Sequence, residues 1–176
     1  MKKILMLCLL FVLTGWTINL YAGGDMPMMP YGGSPNFLRL KTLVGTWEGL
    51  NKMHGGEEQK MTIEYSLSSN GSALVEKLFS GTPQEMISVY HEHKGKLTMT
   101  HYCMLGNQPD LDLISVKDNV MEFDLSESSD IDQAAEDHMH SLKVTFVDDN
   151  TIQQDWLDYK NGVAGEISTF KFSRVK

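Results

Sequence analysis

Histidine and cysteine side chains recur at alternate positions in two segments of the chain. His101 and Cys103 form an H-x-C pair, and His138 and His140 form an H-x-H pair. In an extended strand, residues two apart lie on the same face, so each pair presents its two donors together. Imidazole and thiolate groups ligate zinc or copper, and they also hydrogen-bond to organic ligands.

The apolar residues around these pairs predict which way they point. Residues 92–95 suit a three-residue hairpin loop with Gly95 in the left-handed conformation. This register places an apolar set on one face together with two histidines and the cysteine: Ile87, Val89, His91, Leu97, Met99, His101 and Cys103. Alternation over 138–147 likewise groups His138, His140, Leu142, Val144 and Phe146. We therefore expect these histidines and Cys103 to point inward.

Three interpretations of this cluster remain open. His101, Cys103, His138 and His140 are candidate zinc or copper ligands, although a tight CxxC or HxxxH spacing is absent. The same groups could form the polar wall of a cavity that binds a small, partly apolar molecule. They could also form a hydrated polar network in a packed core. We favour the ligand-binding cavity, with a metal-binding protein as the alternative.

Cys103 beside a histidine also raises the possibility of a cryptic enzyme that uses a thiolate–imidazole pair. Residues two apart on one strand point in parallel, however, and the sequence places no acid or amide to orient the base. We therefore do not favour an enzyme.

Two further features complete the candidate ligand-binding set. Asn107 and Gln108 precede Pro109 in a loop that directly follows the His/Cys segment. Their amides could orient a ligand at a rim, or they could stabilise a turn. Trp156 and Tyr159 fall on opposite faces of one strand, and we assign Trp156 to the interior. The candidate ligand-binding residues are His91, Met99, His101, Cys103, Asn107, Gln108, His138, His140 and Trp156.

The elements that position these residues are predicted to be strands. From Gly45 onward the hydrophobic pattern has period two, and turn dipeptides such as Asn70-Gly71 and Asn161-Gly162 recur at short intervals. About ten strands result, near 45–52, 60–68, 73–80, 85–93, 97–104, 111–116, 119–125, 139–147, 151–159 and 166–174. Because closure removes exposed sheet edges, we predict an all-β, antiparallel up-and-down barrel of about 8–10 strands. The acidic stretch 130–137 is predicted to be a solvated loop rather than a calcium site.

The N-terminal part of the chain divides into three segments. Residues 1–22 resemble a cleavable signal peptide, with Lys2 and Lys3 before an apolar run that is short for a membrane span. Residues 23–35 form a Gly/Pro/Met-rich leader, which we expect to be flexible; its methionines are a less favoured cuprous-ion site. Asn36 is predicted to cap a short helix that plugs the barrel, within a single domain spanning 36–176.

Composition limits the compartment and the partners. The formal net charge is −8, and removing the two lysines of the signal brings it to −10. Without a basic stripe, a nucleic-acid partner is not expected. Cleavage also removes Cys8, so Cys103 remains alone and an intramolecular disulfide is excluded. We expect an exported protein, periplasmic or extracellular, without a membrane span once processed; its oligomeric state stays open.

Short motifs add a family resemblance. Gly45-Thr46-Trp47 resembles the G-x-W signature of lipocalins and other calycins. In those barrels a basic residue of the last strand covers the tryptophan, which implies that Arg174 lies over Trp47. The strings HYC, GNQP and HMHS, beginning at His101, Gly106 and His138, resemble those of an uncharacterised secreted bacterial family with a lipocalin-like barrel. This resemblance implies a fold and a site but no reaction.

Overall fold

The computed structural model describes residues 29–52 and 56–175, so the predicted signal peptide and most of the predicted leader lie outside it. In these residues one α-helix is followed by ten antiparallel strands, each hydrogen-bonded to its neighbours in the chain, with a short 3-10 turn (Ser69–Gly71) between the second and third strands. β10 also pairs with β1 and closes the barrel. The predicted lipocalin-like barrel is therefore confirmed. The elements are α1 (Pro35–Lys41), β1 (Gly45–Asn51), β2 (Gln59–Ser68), β3 (Ala73–Leu78), β4 (Met86–His93), β5 (Lys96–Tyr102), β6 (Asp110–Lys117), β7 (Val120–Leu125), β8 (His138–Asp148), β9 (Thr151–Lys160) and β10 (Val163–Arg174).

Helix α1 lies at one end of the barrel. Its N-cap is Ser34, whose hydroxyl oxygen accepts a hydrogen bond from the Phe37 amide at 3.2 Å, and Pro35 occupies the first turn. The prediction of Asn36 as the cap was wrong, because the serine before the proline takes that role. Phe37 and Leu40 are fully buried and fill this end of the barrel. The helix has seven residues, and no helix in the described ranges is long and apolar enough to cross a membrane.

The β4–β5 hairpin corrects one prediction of side-chain direction. His93 pairs with Lys96, so only Lys94 and Gly95 form the loop, and both have positive φ values, 51° and 81°. This is the geometry of a two-residue type I′ turn rather than of a three-residue loop. The one-residue difference inverts the face of β4, since side chains alternate. Ser88 and Tyr90 therefore face inward, and the prediction that His91 does so was wrong.

A β-bulge corrects a second prediction. In the β8–β9 ladder, Met139 pairs with Asp158 and Ser141 pairs with Leu157, which leaves His140 as the extra residue. The alternation predicted over 138–147 is therefore broken at that point. Leu142 and Val144 face the interior as expected, whereas His138 pairs with Tyr159 on the opposite face of the sheet, where it is nonetheless fully buried. The prediction that His138 and His140 point into the barrel was wrong.

The seam between the first and last strands confirms the expected Trp47–Arg174 pair. The Arg174 guanidinium carbon lies 4.2 Å from the centre of the Trp47 ring. The same guanidinium donates to the Val44 and Thr42 carbonyl oxygens, at 2.8 and 2.6 Å. The Trp47 indole N–H donates to the Leu43 carbonyl oxygen at 2.7 Å. Stacking and hydrogen bonds together anchor the end of α1 to the seam.

Candidate functional site

A network of polar side chains crosses the barrel interior between strands that are otherwise lined by apolar residues. Its centre is Glu76, which is fully buried. The Tyr65 and Tyr90 hydroxyls donate to its carboxylate at 2.6 and 2.9 Å, and the Gln154 amide N–H donates to it as well. Burial raises the pKa of Glu76, and these donors lower it in part by stabilising the ionised form.

Hydrogen-bond direction is fixed at one edge of this network. The Trp156 indole can only donate, and its N–H lies 3.0 Å from Gln154 Oε1. The Gln154 amide oxygen is therefore the acceptor, so its nitrogen points toward Glu76 and Tyr65. Trp156 lies inside the barrel, as predicted, and Tyr159 lies on the opposite face of β9.

His101 lies at the edge of the network and is 1% exposed. Its Nδ1 is 3.0 Å from Ser88 Oγ, and its ring lies 4.9 Å, centre to centre, from the Trp156 ring. The Ser88 hydroxyl can donate to Nδ1 or accept from it, so the tautomer of the ring sets whether Nε2 is an acceptor or an N–H donor. Burial lowers the pKa of His101 to about 4, so the ring is neutral at physiological pH.

The Nε2 atom of His101 has no hydrogen-bond partner among the described residues. His101 lines a cavity of about 70 Å³ near the end of the barrel opposite α1. Most of the lining is apolar, and it comprises Leu78, Phe79, Met86, His101, Met139, Trp156, Ser168 and Phe170. The site is therefore a mostly apolar cavity with one unpartnered ring nitrogen.

Phe79 covers part of this cavity in a strained backbone conformation. Its φ is +55°, a value that bulky L-residues seldom adopt. The conformation places its ring edge-on against Phe170, with the ring centres 5.6 Å apart. Strained residues persist where packing holds them, and they cluster at ligand sites.

Several candidate ligand-binding residues lie apart from this cavity. Met99 is fully buried in the core. Cys103 is half-buried in the turn after β5, where its amide donates to the Asn107 carbonyl oxygen at 3.1 Å. Burial raises the pKa of the Cys103 thiol, so it is not an activated thiolate. The Asn107 amide donates to the Asp137 carbonyl oxygen, and that of Gln108 donates to the Gly106 carbonyl oxygen, so both stabilise loops.

The candidate metal ligands do not converge. His101 points into the barrel, whereas His138, although fully buried, and His140 lie on the opposite face of the sheet beside Tyr159. Within 29–52 and 56–175, no group of three or more His, Cys, Asp or Glu side chains is arranged to hold a metal ion. The acidic stretch 130–137 forms a loop without helix or strand, as predicted.

The hydrogen-bond network around Glu76 was not predicted from the sequence, although the position of this acid indicates it. Glu76 lies between Leu74 and Leu78 at alternate positions of β3, so an acid occupies an apolar face. Such a residue requires hydrogen-bond donors from neighbouring strands. Ser88 and Tyr90 were assigned to the outer face because of the incorrect β4–β5 register.

The fold and the cavity together define a closed ten-stranded barrel with an internal, mostly apolar cavity beside His101. Comparison with models of known protein families and with curated proteins gave no match to this chain.

Proposed function

We propose that this protein binds a small, largely apolar molecule bearing one hydrogen-bonding group in the cavity beside His101. The observation that carries the proposal is the buried, unpartnered Nε2 atom of His101. A buried polar atom left without a partner costs about 1–3 kcal/mol. A ligand that hydrogen-bonds to Nε2, as a hydroxyl can in either direction, removes this cost, and its apolar part contacts the remaining walls.

Water is a poorer occupant of this cavity than such a ligand. An ordered buried water makes about three hydrogen bonds. Among the described side chains that line the cavity, the indole N–H of Trp156 is already bonded to Gln154. His101 and Ser168 therefore remain as the polar groups available to an occupant. Two polar groups within an apolar wall are fewer than the partners a buried water needs, and they suit a ligand with a single hydrogen-bonding group.

The size of the cavity limits the ligand. Its volume of about 70 Å³ is smaller than the roughly 150 Å³ of a cavity that holds benzene. Only a few atoms of the ligand can therefore lie inside the cavity. Met86 and Met139 form part of the wall and are half-buried, and methionine adapts its shape more readily than branched residues.

The first experiment is mass spectrometry of the natively purified protein, with metal analysis on the same sample. A co-purified small organic molecule with an O–H or N–H group is the expected result. A bound transition metal with no organic molecule would instead favour the metal-binding alternative.

The second experiment uses 1-butanol and n-pentane, two slender chains that differ chiefly by a hydroxyl in place of a methyl group. We expect 1-butanol to bind about tenfold more tightly, as a hydrogen bond worth ~1.4 kcal/mol predicts. Fluorescence of Trp156, whose ring lines the cavity, reports binding. In His101→Phe the preference for 1-butanol should disappear, and in the control His91→Phe, on the outer face, it should remain. Equal affinity of the wild-type protein for both probes would contradict the proposal.

Export and a calycin relationship belong to the same proposal. Removal of residues 1–22 would place this binding barrel outside the cytoplasm, with a mature N-terminus near Gly23. N-terminal sequencing of the protein recovered from cell fractions tests this. The Trp47–Arg174 stack supports a calycin-like closure of the barrel.

A further inference from the structure

The outer face of the barrel carries a second concavity, separate from the cavity beside His101. This outer groove, of about 640 Å³, lies over strands β6 to β10. Its size falls within the range of small-molecule sites. The side chains used below are Asp124, His140, Tyr159 and three aliphatic residues, Ile114, Leu157 and Ile167.

Hydrogen bonding fixes the direction of the histidines at this groove. His138 Nδ1 lies 2.7 Å from the Glu136 carbonyl oxygen, which can only accept. His138 Nδ1 therefore carries a proton, and in the form of the ring with this proton alone Nε2 is an acceptor. Its partner at 3.1 Å is His140 Nδ1, which must be the donor. A neutral His140 is thus left with a lone pair on Nε2.

The Nε2 atom of His140 faces the carboxylate of Asp124. The distance from Nε2 to Asp124 Oδ1 is 3.5 Å. The His140 ring is held in place by stacking on Tyr159, with the ring centres 3.9 Å apart. Burial lowers the pKa of His140; Asp124 opposes this effect and His138 adds to it. Two acceptors therefore face each other, and a group with two or more N–H donors between them would satisfy both.

The charge at this position favours a cation. Asp124 is 44% exposed, and within the described ranges its ion-pair partner is His140 alone. The other charged groups of the groove are already paired: Lys143 with Glu122 at 3.6 Å, and Asp155 with donors from Gln153 and Thr169. A neutral His140 leaves the Asp124 charge uncompensated.

Apolar side chains adjoin this pair of acceptors. Ile114 and Ile167 are each 63% exposed, and with Leu157 they line the same groove. Exposed aliphatic residues beside a fixed polar pair suit a ligand with a hydrocarbon chain.

We propose that the outer groove binds a primary alkylammonium ligand, whose N–H groups bond to His140 Nε2 and to Asp124 and whose chain lies along Ile114, Leu157 and Ile167. Two of the three ammonium protons are used in this way, and the third faces solvent. The proposal is independent of the cavity beside His101.

The test is titration of the full protein with n-hexylamine and with 1-hexanol, a neutral probe of the same chain length. Calorimetry should show hexylamine binding at least about tenfold more tightly, since the head group makes charge-assisted hydrogen bonds. Chemical shifts of the His140 ring should move with hexylamine and not with hexanol. Equal binding of the two probes would overturn the proposal.

Three variants locate the site. Asp124→Asn and His140→Phe should each weaken hexylamine binding by about tenfold or more; His140→Phe keeps an aromatic ring against Tyr159. Glu122→Gln is the matched control, because it removes a groove carboxylate that is already paired with Lys143, and binding should change by less than about twofold. His101→Phe should bind hexylamine as the wild type does. Wild-type affinity in Asp124→Asn, with circular dichroism confirming the fold of each variant, would refute the proposed site.

Discussion

Replacing His101 by phenylalanine should change how the stability of the barrel depends on pH. An unfolded histidine titrates near its ordinary pKa of 6.5, whereas burial lowers the pKa of His101 to about 4 in the native state. Between these values the unfolded state binds a proton that the native state does not. The wild-type protein therefore loses stability as the pH falls through 6.5, and this loss is complete below a pH of about 4.

The magnitude follows from the two pKa values. At about pH 4.5 an unfolded His101 is almost fully protonated and a native one is largely neutral, so the linkage relation gives a loss of about 2 kcal/mol relative to neutral pH. The limit at lower pH is about 3 kcal/mol. Glu76, whose pKa is raised by burial, acts in the opposite sense, because its stabilising contribution is lost as the pH rises above its ordinary value. Glu76 is present in both proteins, so comparing them isolates His101.

The assay is urea unfolding of the wild type and of His101→Phe, followed by circular dichroism, at neutral pH and at about pH 4.5. The free energy of unfolding of the variant should fall by about 2 kcal/mol less than that of the wild type. His91→Phe controls for the removal of a histidine on the outer face of a neighbouring strand and should behave as the wild type does. An identical acid-induced loss in the wild type and in His101→Phe would refute the conclusion that His101 is held neutral in the interior.

Three further changes test the closure and the core of the barrel. Arg174→Ala should destabilise the protein by about 1–3 kcal/mol, because it removes the stack on Trp47 and the hydrogen bonds to two carbonyl oxygens. Tryptophan fluorescence should change as well. Unchanged stability and unchanged emission would show that this pair does not close the barrel. Tyr90→Phe removes a donor to the buried Glu76 and should cost about 1.5–3 kcal/mol in chemical denaturation at neutral pH, with a smaller cost at acid pH, where the carboxyl is protonated. Gly49→Ala should lower the melting temperature, because the added methyl group would overlap a backbone carbonyl of β10; an unchanged melting temperature would show that the seam relaxes freely.

The barrel was predictable because hydrophobic alternation and turn chemistry agree along most of the chain. Each of the ten expected strands has a counterpart within a few residues. The Lys94-Gly95 loop shows the limit of this reasoning, because two-residue and three-residue loops both suit that sequence. Pairing between the strands selects the shorter loop. The resulting shift of one residue in the register turns Tyr90 into the interior and His91 to the outer face.

The site was harder to predict because its geometry depends on contacts between strands. The bulge at His140 has no marker such as glycine, and it moved a predicted pair of interior donors to the outer face. His101 was correctly placed inside the barrel, because its strand keeps a regular alternation from Leu97. Its partner Ser88 comes from the neighbouring strand, whose face was assigned incorrectly.

Strand order also has a consequence for how the chain assembles. Every strand pairs with its neighbour in sequence. In the described structure, the β1–β10 seam is the pairing that joins the first strand of the sheet to the last. Hairpins can therefore form locally, whereas the seam has to wait until the whole sheet has curled. Until then, a refolding molecule presents two unpaired edges, β1 and β10, and a second copy can supply the missing strand. Refolding at high protein concentration should thus yield strand-exchanged dimers, and refolding at low concentration should yield closed monomers.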